Sequence, residues 1–316
     1  MSSAILTGQR KFRSQKKSNR IALIADYIVL SLLSLIWIIP ILWIFLHAFR
    51  VQFNDAGEIN GNVVSNFFPT RFGFDNFIDL FTARVNGVDY AFPRWMLNTL
   101  IVAVADCILS TFLILSVAYC ISKLRFKLRK PFMNLTMIIG LFPGFMSMFA
   151  IYFLLKSMGL SGFSPTDDNR WMALLGLIIA NSAASGMGYQ IAKGFFDVIP
   201  NSLVESAKLD GCTNFKIFWK IILPLSKPII IYTALMSFMG PWMDFIFSQV
   251  IIGASNTEYL TVAPGLYNMM FGAYADPSNF TKFAAGCVCV GVPITLLFMF
   301  LQRYYVEGVT AGAVKG

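Results

Sequence analysis

Catalytic side chains are scarce in this chain. A single histidine, His47, stands in 316 residues, so neither an H-E-x-x-H zinc site nor any other histidine-rich metal set can be assembled. No G-x-S-x-G nucleophile turn occurs. The phosphate loop G-x-x-x-x-G-K-S/T is also missing, which excludes ATP hydrolysis by that route. Charge is thin as well: Asp, Glu, Lys and Arg make up 13% of the residues, against roughly 25% in an ordinary soluble protein. The five cysteines suggest no disulfide framework, because Cys107, Cys120, Cys287 and Cys289 fall in apolar runs and Cys212 in a loop expected on the cytoplasmic side. Cys287 and Cys289 are two apart, so on a helix they point to different sides and make a poor metal pair. No repeat or low-complexity tract is evident. No catalytic residue and no metal ligand is expected.

Apolar sequence fills the space left by these absences, at 57% of the residues. Runs almost free of charge extend over Tyr27–Phe49, Met96–Ser122, Phe132–Leu155, Trp171–Ala192, Ile229–Ile252 and Phe283–Leu301. Each is close to the ~20 residues a helix needs to cross hydrocarbon. Lipid offers no hydrogen bonds to the backbone, so only helices or closed barrels can span it, and these runs lack the alternation of barrel strands. The fold class expected is therefore all-α, a polytopic membrane protein with six transmembrane helices. The first run exceeds the h-region of a cleaved signal peptide and is expected to stay as an anchor. With the N-terminus inside, 18 of the 25 Lys and Arg fall on the inner side, which places both termini in the cytoplasm. The net charge of +9 then reflects membrane topology rather than nucleic-acid binding.

Four segments follow from this partition: a basic arm (1–20), the first span with its external loop (21–94), a core of five spans (95–303) containing a cytoplasmic loop (197–228), and a tail (304–316). The external stretch Arg50–Arg94 is too apolar for free disorder and is expected to fold back on the membrane surface or to meet a partner. The loop Gly253–Lys282 mixes aromatics, Met and amides. That composition fits either a binding surface, with Tyr259, Tyr267 and Asn268 as contact residues, or an interfacial aromatic belt. Pro143, Pro241 and Pro293 are placed to interrupt spans, and Gly140 and Gly144 form a G-x-x-x-G that permits close helix approach. Carboxylates at membrane depth are costly and mark polar pathways by default. Asp106 either faces the bundle interior or accepts hydrogen bonds from a neighbouring helix. Asp244 follows an expected helix break at Gly240-Pro241 beside Trp242, an arrangement suited to sugar recognition. Trp242, Asp244 and Asp106 are thus the candidate path residues. His47 is expected at a membrane interface.

The loop ESAKLDGCTNFKIFWKIILPLSKP (205–228) is unusual for a segment in water. Ser202-Leu203-Val204-Glu205 matches a capping box and should start a helix. Gly211 can end it in the left-handed conformation. Thr213 can cap a second helix with Phe215, Phe218 and Ile222 on one face, and Pro224 and Pro228 close it before the next span. Two helices hinged at Asp210-Gly211 hold apolar surface away from the bundle. That surface either docks in a partner's groove or lies flat among headgroups.

Glu205, Ser206, Ala207, Asp210, Gly211, Phe218, Ile221, Leu223 and Pro224 resemble the EAA loop of permease subunits of binding-protein-dependent ABC importers, in the form found in carbohydrate importers. Ser206 and Cys212 replace the usual alanines. Trp95, Asn98 and Thr99 at the start of the second span, and the tail Gln302–Gly316, also resemble the MalG-like, maltodextrin-type members of that family. The resemblance covers nearly the whole chain. It implies the type I ABC importer fold and an import role for oligosaccharides in the bacterial cytoplasmic membrane. It implies as partners a second, MalF-like permease subunit, an ATPase dimer that docks the loop and alone uses ATP and Mg, and an external sugar-binding protein. The chain itself would bind no cofactor. A cation-coupled secondary transporter relaying protons or ions through Asp106 and Asp244 is the rival reading, and an intramembrane enzyme is the third.

Overall fold

Backbone buried in lipid must pair with itself, and the computed structural model of the chain meets this demand entirely with helices. It describes residues 2–53, 60–63, 66–162, 170–183 and 186–313, with side chains from 23 to 302 apart from 186 and 187. Among the described residues there is no strand, only isolated bridges at Arg50 with Phe72 and Val85 with Val88. The side chains of the basic arm and of the tail lie outside the described residues, although the first helix already includes residues 2–20.

Among the described residues four helical stretches are long and apolar enough to cross a membrane, namely Leu23–Ala48, Ala91–Lys123, Met172–Val198 and Pro277–Gln302, and the number rises to six where each of two bent helix pairs is counted as one span. Helix α1 (Ser2–Ala48) buries none of its apolar window and touches the bundle through the last helix. Its side chains, such as Trp37 at 75% exposure, are left for lipid to solvate. The external stretch packs on the chain's own bundle, rather than only on the membrane surface or a partner, through the short α2 (Asp75–Thr82), whose Leu80 and Asn76 are buried. Asn76 donates to the carbonyls of Ala48 at 3.0 Å and Arg50 at 2.7 Å, which fixes the exit from α1. His47, at the end of the candidate span, is buried within the chain, its Nδ1 2.9 Å from the Trp43 carbonyl and its ring against Phe280.

Helix α3 (Ala91–Lys123) is the centre of the bundle. At 1.5 Å per residue it is about 50 Å long, well beyond the ~30 Å of hydrocarbon, so both its ends project. The third span is not one helix. It divides into α4 (Arg129–Gly140) and α5 (Gly144–Ser157), bent by 102°. Pro143, without an N–H to continue the ladder, starts α5. Gly140 and Gly144 flank this break and a Cβ on either would meet nothing within 4 Å, so the G-x-x-x-G makes no close helix contact among the described residues. The fourth span joins α6 (Met172–Ala183) to α7 (Gly186–Val198).

Next come α8 (Asn201–Leu209) and α9 (Asn214–Ile217), a π-helical turn at Phe218–Ile222, α10 (Leu223–Leu225) and α11 (Lys227–Met243), with an 88° bend at Ser226. The expected span Ile229–Ile252 therefore ends at Met243. Pro241 lies inside α11, and the chain breaks three residues later, before α12 (Ile246–Ile252). Helix α13 (Val262–Met270) and α14 (Phe280–Ala313) complete the chain, and Pro293 sits within α14 without breaking it.

Buried side chains form two main clusters at opposite ends of α3. One gathers Trp95, Phe92, Leu80, Trp242, Leu260 and Leu266; the other gathers Ile114, Tyr119, Tyr189, Phe196, Val204, Ile217 and Ile222. At the first end a polar latch ties α3 to residues 256–262. Trp95 Nε1 donates to the Thr257 carbonyl at 2.8 Å, and Asn98 Nδ2 donates to the carbonyls of Glu258 and Leu260 at 2.9 and 3.0 Å. Thr99 Oγ1 accepts the Val262 amide at 2.8 Å. A Cβ on Gly265 would stand 2.4 Å from the Trp95 ring, so only glycine lets α13 approach. Replacing Asn98 by Ala leaves two carbonyls without their donor and is expected to cost about 1–3 kcal/mol, read as a lower melting temperature of the detergent-solubilised chain. An unchanged melting temperature would remove the latch from the account.

Candidate functional site

The elbow between α7 and α11 is built from local sequence and then gripped by α3. Helix α8 starts two residues earlier than the capping box implied: Pro200 is its N-cap, with no side-chain cap bond. The proline has no N–H to satisfy, and the next side chain is recruited elsewhere, since Asn201 Oδ1 accepts from Lys123 Nζ at 3.1 Å. Ser202 is left inside the first turn, and the capping box is not formed. The other end follows expectation. Gly211 has φ +77°, its amide donates to the Lys208 carbonyl at 3.0 Å, and the Cys212 amide donates to that of Ala207 at 2.9 Å. This paired 5→2 and 6→1 arrangement is the Schellman motif. Thr213 caps α9 by accepting the Lys216 amide at 3.3 Å.

Side chains of α3 hold both arms. Tyr119 OH donates to the Asn214 carbonyl at 2.9 Å, and its ring packs on Phe218 with centroids 4.9 Å apart. Lys123 Nζ donates to the Ile199 carbonyl at 2.6 Å. Ser122 Oγ donates to Asp197 Oδ1 at 2.6 Å, while Lys193 pairs with the other oxygen. Val204 and Ala207 from α8, with Ile217, Phe218 and Ile222, fill the cluster beneath.

Of the loop residues singled out by sequence, Glu205, Ser206, Asp210, Gly211 and Pro224 are exposed, Ile221 and Leu223 half-buried, and Ala207 and Phe218 buried in the chain's own core. Phe215 does not share a face with Phe218 and Ile222. Ile217 takes the inward position, and two residues at 100° each turn Phe215 to the opposite side, 71% exposed. The outer apolar surface is instead Leu209, at 91% exposure, with Leu203, Phe215 and Trp219. Leu209 and Trp219 were not singled out by sequence. The signal for Leu209 was its place directly before Asp210-Gly211, where a helix end leaves a side chain uncovered.

Midway along α3, between the two buried clusters, lies a cavity of about 400 Å³ lined by Asp106, Ser110, Asn181, Ser237, Pro241 and Asp244 among others. Both readings of Asp106 hold together: it faces this cavity, and its Oδ1 accepts Ser110 Oγ at 2.7 Å and, from the neighbouring α6, Ser182 Oγ at 3.0 Å. Asp244 turns extended after α11 and caps α12, Oδ1 accepting the Phe247 amide at 3.2 Å and Oδ2 the Ser248 amide and hydroxyl at 3.1 and 2.7 Å. Trp242 does not join them in the cavity wall. It is buried in the latch-end cluster, and its indole N–H finds no acceptor among the described residues.

In the loop beyond α12, Tyr267 is 39% exposed and stacks on Phe245, while Tyr259 is half-buried against the latch-end cluster. Asn268 is no surface contact. It is 1% exposed and exchanges hydrogen bonds with Gln249 at 2.9 and 3.3 Å. Among the described residues no group of three His, Cys, Asp or Glu side chains could hold a metal.

Residues 110–310 match the family described as binding-protein-dependent transport system inner membrane component. The maltodextrin transport system permease protein MalD of Streptococcus pneumoniae is 34% identical over 96% of this chain and 99% of its own. The galactooligosaccharides transport system permease protein GanQ of Bacillus subtilis is 30% identical over 94% and 96%. A chain in the crystal structure of a bacterial ABC transporter involved in the import of the acidic polysaccharide alginate superposes with a TM-score of 0.71 at 20% identity, covering 91% of this chain and 98% of that one, which is a likeness of fold. Truncating Asp244 to Ala removes the cap of α12 and is expected to lower stability by about 1 kcal/mol. The melting temperature should fall, and Asp244→Asn, which keeps one acceptor oxygen, should restore part of it.

Proposed function

Since the chain belongs to the family of binding-protein-dependent transport system inner membrane components, we propose that it is the permease subunit of an ATP-driven importer of oligosaccharides and lines half of the translocation path. The exposed apolar tip on a rigid elbow, Leu209 and Phe215 beside the Gly211 turn, is the observation that carries this reading. An apolar helix face held outward by its own packing needs a groove to bury it, and helix-in-groove docking supplies one. The groove belongs to an ATPase partner. The chain contributes no phosphate loop and no nucleophile, so ATP and Mg are used there and this subunit is not an enzyme. Its elbow and both termini lie in the cytoplasm, in keeping with the distribution of Lys and Arg. The membrane is the cytoplasmic membrane of a bacterium.

The lever follows from geometry. When ATP draws the two ATPases together, the docked α8 is displaced. Because Tyr119, Ser122 and Lys123 grip both arms of the elbow, α3 must move with it. Asp106 lies on the same helix about 20–25 Å further along. The pull thus reaches the cavity wall as a rigid-body tilt rather than as a local rearrangement, and ATP can bias the two states only through its differential affinity for them. Within the cavity Asp106, Asn181 and Ser237 offer acceptors and donors to sugar hydroxyls, while Asp244 shapes the wall through its cap on α12. A second permease subunit closes the other half of the path, and an external sugar-binding protein delivers the substrate to the loop bearing Tyr259 and Tyr267. Relatives named for maltodextrin and galactooligosaccharides favour an oligosaccharide cargo.

A secondary transporter using Asp106 and Asp244 fits less well, because both oxygens of Asp244 are engaged in capping α12. Purification separates the two: a nucleotide-binding subunit should accompany the importer, whereas a lone chain driving uptake from an ion gradient would refute it. Leu209→Asp, Glu205→Lys and Gly211→Pro, the last incompatible with φ +77°, are each expected to abolish ATPase association with the chain still recovered in the membrane fraction. Normal co-purification and transport by all three would end the coupling role.

A further inference from the structure

The inner side of the elbow closes a second cavity, distinct from the membrane cavity and from the apolar tip. It measures about 710 Å³ and opens between the end of α3, the turn at 124–129 and α8, with Lys123, Arg125, Arg129 and Lys208 facing it alongside Glu205 and Asn201. Four cations thus meet one carboxylate. Among the described residues none of these five charged groups is in an ion pair, and the nearby Asp197 is already taken by Lys193 and Ser122. Lys123 is the telling member. It is 9% exposed, and its ammonium donates only to neutral oxygens, the Ile199 carbonyl and Asn201 Oδ1. Those bonds orient the ammonium, and the nearby Asp197 carboxylate that faces its charge is already shared with Lys193, so the cavity keeps a net positive charge, a costly state away from water. Topology accounts for basic residues at a span end, but not for a buried one in the wall of a cavity.

We infer that this cavity binds a phosphate group, from an anionic phospholipid headgroup or from free phosphate, and that the bound anion fastens the end of α3 to α8. The position fits such a ligand. Lys123 ends a spanning helix and so sits at headgroup depth, where basic pockets between helices take anionic headgroups. Arg125 and Arg129 supply planar forks matched to phosphate oxygens, and Lys208 brings a point charge from the opposite wall. Occupancy adds a bridge between α3 and α8 that the hydrogen bonds from Lys123 make only in part, so the stiffness of the elbow responds to the anion.

The test uses the full-length chain purified in detergent with whatever subunits accompany it, its thermal unfolding followed during titration with dihexanoyl phosphatidylglycerol, with inorganic phosphate, and with zwitterionic dihexanoyl phosphatidylcholine as control. A saturable rise in melting temperature is expected with the anionic lipid, with phosphate, or with both, and none with the control. Saturation by the lipid alone assigns a headgroup, and saturation by phosphate assigns the free ion. Arg129→Gln and Lys208→Gln should each weaken the apparent affinity about fivefold, as should Arg125→Gln at the exposed rim if either of the others unfolds. Lys227→Gln, an exposed lysine outside the cavity, should leave it unchanged. Absence of saturable stabilisation by either anion, or equal weakening by Lys227→Gln, overturns the proposal.

Discussion

Everything in this protein depends on α3 being held at both ends. The helix is longer than the hydrocarbon is thick, so each end leaves the hydrocarbon and must be fastened by polar contacts that lipid tails cannot provide. At one end Trp95, Asn98 and Thr99 hold the loop at 256–262. At the other, Tyr119, Ser122 and Lys123 hold the arms of the elbow. A helix pinned at both ends behaves as a strut, and the membrane cavity with Asp106 sits at its middle.

The elbow's use follows from a division of its apolar residues. Ile217, Phe218 and Ile222 are spent on the chain's own core, and Val204 and Ala207 join them there. Leu209, Phe215 and Trp219 remain outside. The first set makes the loop rigid, and the second gives it something to present. A loop with only the second set would collapse onto the membrane or fold over itself, because nothing would oppose burial of its tip. The Schellman turn at Gly211 fixes the angle between the arms, so the two arms move as one body.

Much of this was legible in residues alone. Runs of twenty apolar residues without charge admit few structures in lipid, and Gly211 and Thr213 behave as their local chemistry requires. Failures arose where a residue's partner is distant in sequence. Ser202 looked like a cap until Asn201 was drawn to Lys123, 78 positions earlier. Asn268 looked like surface until Gln249 proved to be its partner. Phe215 and Phe218 looked like one face because helical spacing alone cannot reveal that Ile217 fills the inward site. The span Phe132–Leu155 carried its own warning in Pro143, but a proline signals only that a helix can bend, not that it turns by 102°.

The amino-acid sequence by itself determined the solvent, the helical class and the family, because these rest on composition, on run length and on local motifs whose energetics involve only near neighbours. Tertiary structure alone decided which face of each helix is spent inward, that Asp106 and Asp244 share a cavity while Trp242 does not, and that four cations surround another cavity. Those facts depend on contacts between residues far apart in the chain, and no local propensity encodes such contacts.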